Sequence, residues 1–313
     1  MDPNLLYWKS NGQSLLSRVQ IWVNLLDPAF LISSDDEIQK ARSLLEGGGE
    51  SEKDASALNL TLSSVHADSG AVILPIFRPP ALFPVSAPLV VASFLPHTTV
   101  KPALLWQFLL QSYNAGFNYA NRNSSSEQGK KTSLKQLLLI AGTVSYATCA
   151  GALPQIVINR LNVRSAPIQT FLRLILPIPL SAALAFFNVL TVRSEELETG
   201  IQVFDSNGNP VGMSKAAGEK AVKETALSRA ALFGTTATIP NLLILLLQRT
   251  RLFQRKSLLV GPVRHISVAF VLGLMIPVSF SLFPQVGTIK KEKLEEKLQA
   301  TAVDGQLFYH RGL

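Results

Sequence analysis

Amides at regular intervals, able to bind a polar solute, mark the stretch from Trp106 to Arg122, WQFLLQSYNAGFNYANR. Read as a helix, Gln107, Gln111, Asn114, Asn118 and Arg122 recur every three or four positions, and Asn121 falls beside the last of them. That spacing aligns amides along one face and ends the row in a guanidinium. An amide both donates and accepts, so such a row could hold both ends of a small zwitterion, with Arg122 drawing in its carboxylate. The same row could equally serve as hydrogen-bonding glue between helices. A second candidate is His66-Ala67-Asp68-Ser69-Gly70. His66 and Asp68 could accept a proton or begin a metal site, but two ligands are too few for a metal, and a capped turn is the simpler reading. No metal and no cofactor is implied. The other histidines, His97, His265 and His310, are scattered, and none neighbours a plausible nucleophile. With no phosphate loop or dinucleotide fingerprint either, an enzyme is not expected. Cys149 is the sole cysteine, which excludes an internal disulfide and a cysteine-ligated iron–sulfur cluster.

The elements that must position these amides follow from the distribution of charge. Only 16% of the 313 residues are charged, against about 25% in globular chains. Six intervals contain no Asp, Glu, Lys or Arg: 79–100, 102–121, 136–159, 174–192, 230–248 and 265–289. Each is long enough to cross a bilayer, and all but 102–121 are strongly apolar. The fold class is therefore an all-α polytopic membrane protein of five to six transmembrane helices, the count depending on whether 102–121 fully crosses. Prolines 84, 88 and 96 interrupt the first interval, and Pro154, Pro177, Pro179, Pro240 and Pro277 recur in the others. Several spans are thus expected to be proline-broken, as in transporters that bind solute on freed backbone groups.

The chain divides into a polar amino-terminal region (1–78), a transmembrane domain (79–289) with a soluble insertion (193–229), and a carboxy-terminal tail (290–313). The apolar spacing of 15–28 predicts an amphipathic helix, and Ser33-Ser34-Asp35-Asp36 predicts the cap of a second. In the insertion, Ile201, Val203 and Asn207-Gly208 predict a small hairpin, and Ser214 the cap of a following helix. KKEKLEEKLQ (290–299) reads as a solvated amphipathic helix. The net charge of +8 sits mostly in the connections, where it meets anionic lipid head groups; nucleic acid is not an expected partner. The first residues resemble neither a secretory signal nor an arginine-rich presequence, so any targeting information is expected to be internal.

The stretch at 106–122 resembles the sideroflexin signature WQW-x-NQSFNA-x-VNYTNR, in Trp106, Gln107, Gln111, Ser112, Asn114, Ala115, Asn118, Tyr119, Asn121 and Arg122. Leu110 replaces an expected Asn and Ala120 an expected Thr. Further elements of that family are found in Arg193, Glu196, Leu197, Gly200 and Ile201, in Gly212, Ser214, Ala217, Ser228 and Arg229, and in Leu282-Phe283-Pro284-Gln285. The family's His-Pro-Asp-Thr-Gly-Glu appears eroded at 66–71, and its Asn-Ile-Pro becomes Asn188-Val189-Leu190. The ending Phe308-Tyr309-His310-Arg311-Gly312 resembles that of the divergent fourth branch. The resemblance implies a multi-pass protein of the mitochondrial inner membrane that moves small neutral amino acids, serine foremost. The departures imply that serine transport is weakened or lost. The fourth branch implies an alternative: a non-transporting factor whose partners are respiratory complex I assembly proteins, with effects on iron–sulfur and iron homeostasis.

Overall fold

The computed structural model describes residues 3–46, 52–95, 97–123, 133–255, 257–300, 302 and 304–313. It is mostly α-helical. Helix α1 (Leu15–Leu25) begins at Ser14, whose Oγ accepts the Ser17 N–H while Ser17 Oγ accepts the Ser14 N–H. This reciprocal cap satisfies two donors that the first turn leaves free. The bundle comprises α2 (Leu82–Ser93), α3 (Val100–Ala120), α4 (Leu134–Arg160), α5 (Pro177–Val192), α6 (Lys215–Leu247) and α7 (Val260–Ser281). Four helical runs are long and apolar enough to cross a membrane: Leu134–Arg160, Ala166–Val192, Lys215–Leu247 and Val260–Ser281. Their outward faces expose Leu138, Tyr146, Leu153, Phe187, Leu246, Ile266 and Phe270. So many large apolar groups facing outward suit lipid, not water. α3 is as long, about 31 Å at 1.5 Å per residue, but carries the amides.

The interval 79–100 departs from a membrane-length helix. Its α-helix runs only from Leu82 to Ser93, about 18 Å, preceded by a 3₁₀ turn at Pro79–Ala81. Pro79 and Pro80 lack amide protons and hold the chain out of α geometry before Leu82. Pro96 lies outside the described residues. The segment nonetheless runs the depth of the bundle. At one end, Asn121 at the foot of α3 donates through Nδ2 to the Phe77 carbonyl at 2.9 Å. At the other, Asn159 near the end of antiparallel α4 donates to the Thr98 carbonyl at 3.0 Å.

Proline interrupts the helices less than its frequency suggests. α4, α6 and α7 run through Pro154, Pro240 and Pro277, each of which removes one hydrogen bond that tertiary packing compensates. The regular pattern breaks ahead of Pro177, where Phe171–Ile175 form a π turn between a short helix (Ala166–Thr170) and α5.

The hairpin forms as its turn chemistry requires. Strands β1 (Ile201–Phe204) and β2 (Pro210–Ser214) flank Gly208 at φ 79°, a conformation that glycine adopts without strain. The Asp205 carboxylate accepts the Asn209 N–H at 2.7 Å and closes the turn. Ser214 then caps α6 by accepting the Ala217 N–H at 3.1 Å. The tail differs from a helix over 290–299. Strand β3 (Val286–Lys290) and strand β4 (Gln306–His310) flank a 3₁₀ turn and a four-residue helix, Glu296–Gln299. The strands form one antiparallel sheet in the order β2-β1-β4-β3, with Val203 paired to Tyr309 and both fully buried. Leu294 and Leu298 are buried in one cluster with Val203, Leu307 and Tyr309, and this packing on the sheet replaces a continuous helix with two short turns.

The amino-terminal region is anchored by aromatic packing and by arginine. Trp22 packs edge-on against Phe280 of α7, with ring centroids 4.9 Å apart. Arg78, with no exposed surface, donates to the carbonyls of Ile73, Phe30 and Ser33.

Candidate functional site

A cavity of about 90 Å³ lies between α2, α3, α4, α5, α6 and α7 at the end of the bundle opposite the sheet. At about 15 Å³ per ordered water, it has room for several waters or one small organic molecule. Gln107, Gln111 and Asn114 of α3 line it, four and three residues apart as their helical spacing requires. The Gln111 Nε2 donates to Gln107 Oε1 at 3.3 Å, while the buried Gln111 Oε1 has no hydrogen-bond partner. Gly151 of α4 lets Gln107 approach: a Cβ there would stand 2.4 Å from Gln107 Oε1. Leu110, where the signature has Asn, contributes an apolar patch to the wall.

Facing these amides are two arginines. Arg173 lies in the π turn, and Arg264 on the first turns of α7. A π turn leaves carbonyls without their usual α-helical partners, and side chains from other helices take them. Arg264 Nη2 donates to the Arg173 carbonyl at 3.3 Å and to Asn241 Oδ1 at 3.2 Å. Asn241 Nδ2 in turn donates to the Leu174 carbonyl at 2.9 Å. This arrangement draws both guanidiniums to the cavity, and the Nε of each is buried without a hydrogen-bond partner. No carboxylate stands among the lining residues. The lining therefore combines a row of amides with two arginine side chains and no compensating carboxylate.

The remaining residues of the α3 row lie outside this cavity. Asn118, 3% exposed, donates through Nδ2 to Asn188 Oδ1 of α5 at 2.8 Å. Asn121 bonds the Phe77 and Phe117 carbonyls. Arg122 stacks on the Tyr119 ring at 3.7 Å and donates to the Tyr119 carbonyl, near the sheet end and away from the amide cavity. His66 and Asp68 form a turn: His66 Nδ1 accepts the Asp68 and Ser69 N–H groups, both at 3.3 Å. With Nδ1 accepting, Nε2 carries the proton and donates to the Arg122 carbonyl at 2.5 Å. The turn thus ties the amino-terminal region to the foot of α3. No cluster of three or more His, Cys, Asp or Glu residues that could hold a metal occurs among the described residues.

Arg264 and Asn241 were not among the sequence candidates. Arg173 and Arg264 each sit at the edge of a charge-free interval, and that placement is the signal that could have marked them.

Near the sheet, Arg193 and Glu196 form a buried bidentate pair at 2.5 and 2.6 Å. Glu196 also accepts the Asn123 N–H at 3.2 Å and its Nδ2 at 3.0 Å. Arg193 donates further to Thr225 Oγ1 and to the Arg311 carbonyl. Arg311 is held below the usual arginine range, at about 10, chiefly by burial.

Comparison with known proteins agrees with this architecture. The family model for sideroflexins matches residues 5–313. Sideroflexin-4 of Danio rerio is 54% identical over the full length of both chains, and sideroflexin-4 of Mus musculus 39%, again over both full lengths. Sideroflexin-5 of Homo sapiens is 30% identical, covering 96% of this chain and 90% of its own. No solved structure matches. A full-length family match and four membrane-length helices lead to one conclusion: the chain belongs to the sideroflexin family, as a multi-pass membrane protein.

Proposed function

We propose that this protein is a carrier of small neutral amino acids in the mitochondrial inner membrane, with serine transport weakened or lost. The observation that carries the reading is the lining of one cavity, which joins the Gln107, Gln111 and Asn114 amides to the Arg173 and Arg264 side chains and holds no carboxylate. A zwitterion satisfies both sides, its carboxylate on the guanidiniums and its ammonium on the amide oxygens. The absence of acidic residues from the lining disfavours a cationic substrate. Leu110 supports the weakening of serine transport, because an apolar wall cannot bond a substrate hydroxyl.

The test is amino-acid uptake into liposomes containing the purified protein, beside a serine-carrying sideroflexin. Saturable uptake, lost in Gln111→Ala/Asn114→Ala and in Arg264→Gln while the variants fold normally, is the expected result. No uptake from folded protein while the control works would overturn the reading. That outcome would favour the alternative that the fourth-branch resemblance supports, a non-transporting factor for complex I assembly and iron homeostasis.

A further inference from the structure

Beyond the cavity, toward the sheet, is a separate hollow of about 10 Å³ walled by Asn114, Asn118, Asn188, Arg229 and the Phe117 and Phe233 rings. Asn114, Ala185 and Phe233 belong to both walls, so the hollow adjoins the cavity directly. It has room for about one water-sized particle.

Three of its polar groups are buried and unsatisfied: Arg229 Nη2, Asn188 Nδ2 and Asn118 Oδ1. Their residues are 4%, 1% and 3% exposed. Two of the three are donors. Arg229 lies over the Phe117 and Phe280 rings at 5.5 and 4.5 Å, but no carboxylate pairs with it among the described residues. Glu196, the acid of the neighbouring cluster, is taken up by Arg193 at 2.5 Å. Ring faces attract a guanidinium without neutralising it. A buried cation left unpaired costs several kcal/mol, and a cell for one particle beside its free N–H is where that charge could be compensated.

We propose that this hollow is a binding site for one halide-sized anion, chloride above all. The ion would accept hydrogen bonds from Arg229 Nη2 and Asn188 Nδ2. Asn114, at the shared wall, places its amide where the ion would enter from the cavity. The hollow is small enough to exclude a carboxylate group and takes a monatomic ion with slight widening, Asn118 Oδ1 (an acceptor) turned away from it, so this ion is distinct from the substrate proposed for the cavity. The inference does not depend on that substrate, and its test reads binding and stability without uptake.

The experiment is thermal unfolding of the purified protein in detergent, titrating sodium chloride against sodium gluconate at constant ionic strength. Bromide is a parallel probe, located by its anomalous signal in crystals. Saturating chloride is expected to raise Tm by about 5 °C, as for a ligand well above its Kd, while gluconate does nothing. Bromide should give a peak beside Arg229. Arg229→Met should lose the chloride dependence; if that variant fails to fold, Asn188→Leu, which fills the hollow and keeps the arginine, should lose it instead. A Tm independent of chloride, a dependence that survives both substitutions, or density that refines as water only would overturn the proposal.

Discussion

Replacing Glu196 by Gln isolates one charge in the most heavily buried cluster. Glu196 is 3% exposed and Arg193 fully buried. The substitution keeps the shape and removes the anion that receives both Arg193 contacts at 2.5 and 2.6 Å. Each Glu196 oxygen now accepts from both Arg193 and Asn123, so an NH2 in place of either one faces two donors. Breaking a buried pair by removing one partner costs about 3–5 kcal/mol, because the other charge stays buried. That is a large share of a total stability of about 5–15 kcal/mol. At about 2–4 °C per kcal/mol, Tm should fall by roughly 10 °C. Replacing both members by Met removes the isolated charge and should recover part of the loss, leaving the Arg311 carbonyl and Thr225 hydroxyl without one donor each and the Asn123 N–H without its acceptor. The assay is thermal unfolding in detergent, followed by tryptophan fluorescence at matched pH and salt. A Glu196→Gln protein within about 1 kcal/mol of the parent, or a double variant less stable than the single, would refute the reasoning.

Leu110→Asn, which restores an amide to the cavity wall, should raise serine uptake severalfold in the liposome assay while lowering stability by about 1–2 kcal/mol. Gly151→Val should drive Gln107 into the cavity, since even a Cβ would lie 2.4 Å from its Oε1; uptake should fall at least tenfold, with abundance in the membrane little changed. His310 is buried, and its Nδ1 accepts the Gly312 N–H, so burial pushes its pKa down to about 4 from 6.5. The unfolded chain takes up that proton below about pH 6.5 and the native state resists it, so this stability is present above 6.5 and lost as pH falls toward 4, by up to about 3 kcal/mol. Denaturation midpoints between pH 7 and 5 should show the loss in the parent and a flatter profile in His310→Gln.

How much of this was written in the sequence depends on the range of the interactions. The amide row was legible because helical spacing is local, and Gln107, Gln111 and Asn114 do share one wall. The hairpin and the Ser214 cap were equally local. The second half of the row was harder to place: Asn118 looks like Asn114 in spacing, but it meets Asn188 from another helix. Arg122 looked like a mouth residue, and the structure instead stacks it on Tyr119, a neighbour three positions away. The cationic half of the cavity depends on Asn241 and Arg264 reaching the Leu174 and Arg173 carbonyls, contacts that no periodicity encodes. The tail misled for a related reason. KKEKLEEKLQ has strong intrinsic helical preference, and only the distant pairing of Lys290 with Gln306 and the burial of Leu294 and Leu298 against the sheet reveal its actual conformation.

The clasp between residues 66–77 and the foot of α3 has a bearing on sidedness. The chain leaves that end at Phe77, reaches the opposite end by Thr98, and returns through α3. α4 and α5 make one round trip and α6 and α7 a second, so the described chain traverses the bundle an even number of times. Trp8 and Leu313 accordingly line the same small recess, beside His66 and His310. Both extremities of the described chain therefore face one aqueous compartment. A protease admitted to that compartment alone would cleave a tag fused to either extremity, and from the other side it would cleave neither.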